Sequence, residues 1–363
     1  MTYRIAYFIT PHGFGHAGRA SAVMESLHRL DSGIIFDIYT TIPEWFFRQS
    51  IKGPYNYHSM ITDVGLVQLS SVTEDLKSTL DRLSEFEKML TPKNIQLLAT
   101  KLNRDKVNLI VADISPLGIL AGKAGSIPVC LIENFTWDWI YDSYVQPWPV
   151  IRHYISLYQT INDAATYRIQ SEPLCSPRLK EAFYCPPIAR SIRTDKLTTL
   201  NQLDLPTDHP AIMITMGGIP QDYQFMEKLY EYEPYSFILP GVDGCTRRVN
   251  NVAYLPHHSE FFHPDLINAS DLVVGKAGYS TIAEVYQAGN AFGYILRPDF
   301  RESGPLDDFI KKNIPSREIP LMDFESGEWL KEIGDSLSLG TAQRIGQKGA
   351  LMAAEYLITL LEK

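Results

Sequence analysis

A lysine, a threonine and a glutamate occur close together in residues 272–295, which read LVVGKAGYSTIAEVYQAGNAFGYI. The apolar run at 272–274 predicts a buried strand, and the residues after the loop predict a helix. Thr281 and Glu284 have the spacing of a capping box in its first turn. Lys276 therefore lies in a loop next to a helix N-terminus, where backbone N–H groups and the helix dipole attract an anion such as phosphate. A capped helix beside a solvated lysine would have the same local sequence, so both interpretations stay open.

A glycine-rich loop follows the first predicted strand, residues 3–9. Gly13, Gly15 and Gly18 match the G-x-G-x-x-G fingerprint of dinucleotide-binding proteins. A nicotinamide site also needs Asp or Glu near the end of the second strand to hold the ribose. That strand ends in Tyr-Thr-Thr and has Asp37 in its interior. The pattern therefore does not favour a nicotinamide oxidoreductase.

An aspartate follows the apolar strand that is predicted at residues 108–112. Asp113 lies at the carboxyl end of this strand, the edge at which parallel α/β sheets bind ligands. It could bind a substrate there or act as a general base. Asp113 or Ser115 could instead cap the helix predicted at residues 117–123, and the residues alone leave these roles open.

Length and composition favour a globular protein of two domains. The chain has 363 residues, which is long for one hydrophobic core. Its net charge of −9 gives no electrostatic basis for binding nucleic acid or for charge-driven docking on anionic lipid. The four cysteines lack CxxC spacing, no Asp-x-Asp occurs, and no apolar run is long enough to span a membrane. We expect a cytoplasmic protein with reduced thiols and no zinc site.

Residues 276–284, which read KAGYSTIAE, resemble the donor-binding signature of nucleotide-sugar glycosyltransferases with the GT-B fold. That family has an α/β architecture in which two Rossmann-like domains face a central cleft. The resemblance implies that the donor diphosphate is bound by Lys276, where the family usually has histidine, and by Gly278 and Thr281. It also implies that Glu284 bonds the ribose hydroxyls.

Two further loops match the donor site of the same family in part. Gly217 and Gly218 follow the strand predicted at residues 211–215, where the family has a glycine loop near the donor diphosphate. Glu302 lies where many relatives have an acidic residue that contacts the donor sugar. These matches imply that all three residues line the donor site, and they leave the sugar unidentified.

The N-terminal loop resembles the acceptor loop of this family, which carries a Gly-His pair after the first strand. The resemblance places Gly13, Gly15 and Arg19 at the acceptor. His16 is then the candidate base that takes a proton from the acceptor hydroxyl, with His12 as a weaker candidate. Some families with this loop use an acidic residue instead, so Asp113 is a second candidate for the base.

The N-terminal half also resembles the glycosyltransferase-like region of plant-type arabinose kinases. The shared stretches are HGFGHAGR, DVGLVQ and VADISPLGILAGKAGSIPVCLIENFTWDWIY, together with Tyr-Cys-Pro at 184–186. The Gly/Ser-rich ATP loop of the sugar-kinase domain in those proteins has no counterpart in this sequence. We therefore infer no kinase activity.

We predict an N-terminal Rossmann-like acceptor domain at residues 1–195, a donor domain at 196–335 and a C-terminal helix at 336–363 that packs back towards the N-terminal domain. The proline-rich residues 172–210 would connect the domains. The predicted activity is transfer of a sugar from a nucleoside diphosphate donor, with a UDP-sugar favoured, to an unidentified acceptor. The donor is a co-substrate, and we expect no cofactor, metal ion or nucleic-acid partner. A nucleotide-sugar 2-epimerase and a non-catalytic nucleotide-sugar-binding protein are the alternatives, and the oligomeric state stays open.

Overall fold

The chain forms two compact units. The computed structural model describes residues 3–69, 73–217, 223–242 and 244–363. Met1–Ile188 together with Lys348–Lys363 form the first unit, and Ala189–Gln347 form the second. The division at Ile188 comes earlier than the predicted boundary after residue 195. The return to the first unit at Lys348 comes later than the predicted boundary before residue 336.

A parallel sheet lies at the centre of the first unit. The strands of this unit are β1 (Arg4–Ile9), β2 (Ile35–Thr40), β3 (Tyr55–Ser59), β4 (Val67–Gln68), β5 (Glu74–Asp75), β6 (Leu109–Asp113), β7 (Val129–Glu133), β8 (Tyr167–Ser171) and β9 (Phe183–Cys185). Seven of them pair in parallel in the order β3-β2-β1-β6-β7-β8-β9, and β4 and β5 form a separate antiparallel pair. β1, β6 and β7 are buried along nearly their whole length, which explains their continuous apolar sequences.

Helices connect these strands. They are α1 (Phe14–Leu30), α2 (Glu44–Ser50), α3 (Leu76–Met89), α4 (Pro92–Arg104), α5 (Pro116–Gly125), α6 (Trp137–Asp142) and α7 (Arg152–Asn162). Pro92 and Pro116 begin α4 and α5, where a missing N–H has no cost. Asp75 caps α3 by accepting from the N–H of Ser78. Ser71 and Glu74 have the spacing of a capping box in the sequence, and Ser71 lies outside the described residues.

The second unit repeats the α/β plan. Its elements are α8 (Lys196–Gln202), β10 (Ala211–Thr215), β11 (Ser236–Val242), β12 (Arg247–Val249), β13 (Val252–Pro256), α9 (His263–Ala269), β14 (Leu272–Lys276), α10 (Tyr279–Ala288), β15 (Ala291–Ile295), α11 (Ser303–Asn313), β16 (Ser316–Glu318), α12 (Leu321–Ser326) and α13 (Ile333–Ser338). The strands form one sheet in the order β12-β13-β11-β10-β14-β15-β16. All neighbours pair in parallel except β12 and β13.

The final helix, α14 (Lys348–Leu361), belongs to the first unit. Its buried face of Ala350, Ala353, Ala354 and Leu357 joins the apolar core formed by α1 and the sheet. The helix occupies only the later part of the C-terminal segment predicted at residues 336–363. The described helices include none that is both long and apolar enough to cross a membrane.

The segment at 172–210 is more regular than its proline content predicts. β9 adds a strand to the sheet of the first unit, and α8 opens the second unit. Both elements are short, and Pro186 follows β9 directly. Short elements next to prolines show no usable periodicity, which is why the sequence indicated an irregular connection there.

Candidate functional site

His16 and Asp113 lie side by side at the carboxyl edge of the sheet in the first unit. Asp113 is the last residue of β6 and pairs with Ile9, the last residue of β1. Gly13 holds the N-cap position of α1 with a φ of 75°, so His16 falls in the first turn of that helix. The Nδ1 atom of His16 lies 2.7 Å from Oδ1 of Asp113. The two alternative bases thus form one hydrogen-bonded pair, and Ser115 holds the N-cap position of α5.

Arg19 fixes the carboxylate of Asp113 with two hydrogen bonds. It lies three residues after His16 on α1 and therefore on the same face of the helix. Its Nε donates to Asp113 Oδ2 at 2.8 Å, and its Nη2 donates to Oδ1 at 2.7 Å. Its Nη1 donates to Asn134 Oδ1 at 2.7 Å. Only 1% of Arg19 and none of Asp113 is exposed, so this bidentate ion pair is buried.

The charge of Asp113 decides which ring nitrogen of His16 carries the proton. Burial alone would raise the pKa of Asp113, but Arg19 and His16 outweigh burial and lower that pKa, so the side chain is a carboxylate. A carboxylate can only accept, so the shorter contact, 2.7 Å between His16 Nδ1 and Asp113 Oδ1, assigns the proton to Nδ1 and the lone pair to Nε2. The guanidinium of Arg19 can only donate, so its approach to Nδ1 at 3.2 Å is then an electrostatic contact and not a hydrogen bond. Burial lowers the pKa of His16 and Asp113 opposes that shift only in part, so the imidazole is neutral at neutral pH.

Two residues directly after β7, Asn134 and Phe135, complete the surroundings of His16. Asn134 accepts the third hydrogen bond from Arg19, and the Phe135 ring meets the imidazole edge-on with 6.0 Å between the ring centroids. In the sequence both residues belong to a longer stretch shared with plant-type arabinose kinases, and neither was given a role there. The usable signal was position, because both residues follow a buried parallel strand at its carboxyl end.

The dinucleotide fingerprint does not lead to a ribose site in this unit. Gly15 and Gly18 lie within α1. Asp37 is buried in β2, and its carboxylate contacts three side chains of the first unit, those of Arg4, Asn56 and His58.

The loop between β14 and α10 in the second unit begins its helix earlier than predicted. β14 ends at Lys276, and Gly278 holds the N-cap position of α10, whose first residue is Tyr279. The predicted capping box at Thr281 and Glu284 is wrong, because Thr281 already lies inside the first turn of the helix and is buried. Among the described residues no side chain caps α10, so the start of this helix presents backbone N–H groups and the positive end of its dipole to the loop.

Gly217, Gly278 and Glu302 surround Lys276. A Cβ atom added at either glycine would lie 3.9 Å from Cε of Lys276. Gly217 has a φ of 83°, a backbone conformation that favours glycine. Burial lowers the pKa of Lys276, and the negative charge of Glu302 opposes that shift. The structure thus brings these four predicted donor residues together, while Gly218 lies outside the described residues.

Arg297 is a further buried cation near this group. Its guanidinium carbon lies 3.7 Å from the ring centroid of Phe300. Burial lowers the pKa of Arg297 to about 10, and the charge of Glu302 opposes that shift. Sequence reasoning did not select Arg297, although its place just after β15 puts it at the carboxyl edge of the second sheet.

Glu284, the expected ribose ligand, is bonded by two side chains of its own unit. Its Oε1 accepts from Arg190 Nε at 2.9 Å, and its Oε2 lies 2.9 Å from His263 Nδ1. Only 3% of Glu284 is exposed. Neither partner was singled out in the sequence, because Arg190 is 94 residues and His263 is 21 residues away along the chain.

The chain is similar in sequence to a plant protein. No family model matches the chain. The L-arabinokinase of Arabidopsis thaliana is 24% identical over 356 residues, which cover 97% of this chain and 34% of that protein. The chain thus spans about a third of the length of this relative. The likeness seen in the N-terminal half of the sequence extends over nearly the whole chain.

Solved structures of nucleotide-sugar enzymes superpose on the chain. A UDP-glucosyltransferase from Polygonum tinctorium that can glucosylate indoxyl has a TM-score of 0.63 at 11% identity, with 100% of this chain and 99% of that chain covered. A putative UDP-N-acetylglucosamine 2-epimerase from Listeria monocytogenes has a TM-score of 0.55 at 11% identity, with 100% and 96% covered. At such identities the likeness shows the fold alone. The chain has the GT-B fold, with two Rossmann-like α/β units.

Proposed function

We propose that this chain is a glycosyltransferase that moves a sugar from a nucleoside diphosphate donor, with a UDP-sugar favoured, to an acceptor hydroxyl group. The observation that carries the proposal is the buried pair of His16 and Asp113, with 2.7 Å between Nδ1 and Oδ1, in a chain of the GT-B fold. A neutral imidazole that is oriented by a carboxylate is suited to take a proton from a hydroxyl group near neutral pH.

His16 acts on the acceptor in this proposal. Its Nε2 takes the hydroxyl proton while the acceptor oxygen forms a bond to the anomeric carbon of the sugar. Asp113 stabilises the imidazolium that results, and Arg19 keeps Asp113 ionised. Asp113 is therefore an orienting group, and the base is His16.

The second unit would bind the donor. When the bond between the anomeric carbon and the diphosphate breaks, negative charge develops on the leaving group. Lys276 and the N–H groups at the start of α10 would stabilise that charge, with Gly217 and Gly278 allowing close approach. Thr281 would assist there, and Glu284 would bond the ribose.

Positive charge from the chain itself would replace a divalent cation in this mechanism. We therefore expect transfer to proceed unchanged in EDTA. Activity that EDTA abolishes and Mg²⁺ or Mn²⁺ restores would contradict this part of the proposal. It would not contradict the roles proposed for the donor-binding residues.

Product formation tests the proposal. The chain is incubated with UDP-glucose, UDP-galactose or UDP-xylose and with 4-nitrophenol or a free monosaccharide as acceptor, and glycosides and released UDP are measured by mass spectrometry. His16→Ala should abolish transfer. His12→Ala is the matched comparison, because His12 lies in the loop just before α1, four residues from His16, and packs against Trp137 with 4.8 Å between ring centroids. If nucleoside diphosphates of uracil, guanine, adenine and thymine all fail to bind, the proposal is wrong.

A nucleotide-sugar 2-epimerase is the second candidate, because the putative epimerase from Listeria monocytogenes has the same fold. Such an enzyme needs a nucleotide-sugar and no acceptor. UDP-N-acetylglucosamine incubated alone distinguishes the two reactions by NMR. Inversion at C2 without any acceptor would favour the epimerase, and binding without either reaction would favour a non-catalytic binding protein.

A further inference from the structure

Arg190, Glu284 and His263 form a cluster of charged and polar side chains in the second unit. Each oxygen of the Glu284 carboxylate has its own partner, Arg190 Nε on Oε1 and His263 Nδ1 on Oε2, both at 2.9 Å. A carboxylate offers about four acceptor positions, so these two bonds leave room for two more. The side chain of His263 is 29% exposed, which brings the cluster to the surface of the unit at that residue.

The two partners determine the charge of Glu284. Burial alone would raise the pKa of Glu284, but the charge of Arg190 and the contacts of His263 outweigh burial, and the pKa is lowered. Without Arg190, the same burial would favour the protonated acid. Arg190 therefore keeps Glu284 in the form that accepts hydrogen bonds at every position.

Contacts with α9 and α10 of the same unit hold Arg190 in position. Its carbonyl oxygen accepts from Gln287 Nε2 on α10 at 2.7 Å. Its guanidinium lies 5.0 Å from the ring centroid of Phe262, the N-cap residue of α9. Three residues later, the N–H of Arg193 donates to Asp265 Oδ1 on α9 at 2.6 Å. The backbone on both sides of the ion pair is thus fixed, so the direction of the Glu284 carboxylate is fixed with it.

We propose that Arg190 and His263 are positioning residues that hold Glu284 ionised and directed at the two hydroxyl groups of the donor ribose. The inference rests on the proposed function, because it assigns the carboxylate to a nucleotide. Ribose hydroxyls would donate to the acceptor positions that the two protein partners leave open. Arg190 would then determine, through Glu284, how strongly the site distinguishes a ribonucleotide from a 2′-deoxyribonucleotide.

Paired ligands test this role. Dissociation constants are measured by calorimetry for UDP and 2′-deoxy-UDP, and likewise for the guanine and adenine pairs, with wild type, Glu284→Gln and Arg190→Gln. Wild type should prefer the ribonucleotide by about tenfold or more, which corresponds to about 1.4 kcal/mol. Both variants should reduce this preference to about twofold or less. In Arg190→Gln the remaining preference for the ribonucleotide should decrease as the pH falls, because the buried Glu284 carboxylate then takes up a proton.

A control and a second variant keep the test decisive. Lys196→Gln removes an ion pair of the same unit, Lys196 Nζ to Asp271 Oδ1 at 2.6 Å, next to the amino end of β14. That variant should keep the wild-type preference. If Arg190→Gln does not fold, His263→Ala serves instead, because that side chain is partly exposed.

Each result has one interpretation. If Arg190→Gln weakens binding of the ribo and deoxy forms equally, Arg190 is a structural residue and the inference is wrong. If wild type binds nucleotides with no preference for ribose, the inference fails while nucleotide binding stands. If wild type binds no nucleotide at all, the proposed function fails as well.

Discussion

His16 contacts Asp113 through Nδ1 at 2.7 Å, and the oxygen that it contacts also accepts a hydrogen bond from Arg19. The carboxylate is thus shared between the candidate base and a permanent cation. A carboxylate beside histidine raises the histidine pKa, whereas Arg19 and burial lower the pKa of His16. The base strength of His16 is therefore set by burial, Asp113 and Arg19 together, and the two residues can be changed separately.

Asp113→Asn tests the role of the carboxylate. The amide keeps the size of the side chain but removes the negative charge that stabilises the imidazolium. We expect kcat for sugar transfer to fall by about 10²- to 10⁴-fold, the usual size of general-base effects. Binding of UDP, measured by calorimetry, should change little, because Asp113 belongs to the first unit and Lys276 to the second.

Asp37→Asn is the matched control for this change. Asp37 is a second buried aspartate of the same sheet, and it forms an ion pair with Arg4 at 3.0 Å. This variant should lose stability and keep its turnover per folded molecule. Equal loss of turnover in both variants would show that Asp113 acts only through the fold.

Arg19→Gln should move the pH dependence of transfer. A general base must be unprotonated, so activity rises with pH through the pKa of His16. Burial and Arg19 lower that pKa from its ordinary value of 6.5. Removing the Arg19 charge therefore shifts the acid limb of the profile to higher pH. The variant should also lose about 3 to 5 kcal/mol of unfolding free energy, because Asp113 stays buried without its main partner.

Arg168→Gln separates the two effects of that substitution. Arg168 contacts the buried Glu133 at 3.3 Å in the same unit, and neither residue is among those that shift the pKa of His16. Its loss should reduce the unfolding free energy in urea and leave the acid limb where it is. An acid limb that stays in place in Arg19→Gln as well would rule out an electrostatic effect of Arg19 on the base.

Asp63 should make the stability of the first unit depend on pH. Its Oδ1 accepts from Tyr158 Oη and from the N–H of Val64, both at 2.8 Å, and burial raises its pKa to about 7 from 3.8. The folded chain therefore binds more protons than the unfolded chain between these two values. This contribution to stability is complete below pH 3.8 and is lost as the pH rises through 7, by up to about 1.4 kcal/mol per pH unit.

Urea unfolding at pH 5, 6 and 7 measures this slope. Asp63→Asn should make the slope shallower, because the amide does not titrate, while burial also raises the pKa of Glu133 and of Asp138 and so keeps part of the slope. Asp163→Asn, at a side chain that is 83% exposed, should leave the slope unchanged. A slope in Asp63→Asn that is as steep as in wild type would contradict this role of Asp63.

The sequence located the central strands well and the edge strands poorly. β1, β6 and β14 were placed to within two residues, because strands covered on both faces have continuous apolar sequences. β12 has three residues, all exposed, and shows no apolar pattern. Strands at the edges of a sheet do not need to be apolar, so the rule that finds central strands does not apply to them.

The residues of the candidate site were predictable one by one, but their pairing was not. Glycine loops and the carboxyl ends of strands indicated His16 and Asp113, yet the sequence offered them as alternatives. Their hydrogen bond joins residues that are 97 positions apart in the sequence, and it depends on β1 and β6 being neighbours in the sheet. Arg190 and Glu284 form an ion pair although they are 94 residues apart in the sequence, because the fold brings distant segments together. Local patterns carry no information on strand order, so such pairs appear only in the folded chain.

Lys276→Gln should weaken binding of the donor diphosphate and leave binding of the nucleoside unchanged. Lys276 is the last residue of β14, just before the N-cap of α10, and its side chain lies beside Gly217. Its charge therefore acts where phosphate would lie. Burial lowers the pKa of Lys276, and the charge of Glu302 opposes that shift. We expect UDP to bind about tenfold or more weakly, since hydrogen bonds to charged groups contribute about 1.5 to 3 kcal/mol. Uridine, which has no phosphate, should bind equally to both proteins.

Lys123→Gln is the matched control, because Lys123 is exposed in a second Gly-Lys-Ala-Gly sequence in α5. Equal weakening of UDP and uridine would mean that Lys276 shapes the loop and does not bind the diphosphate.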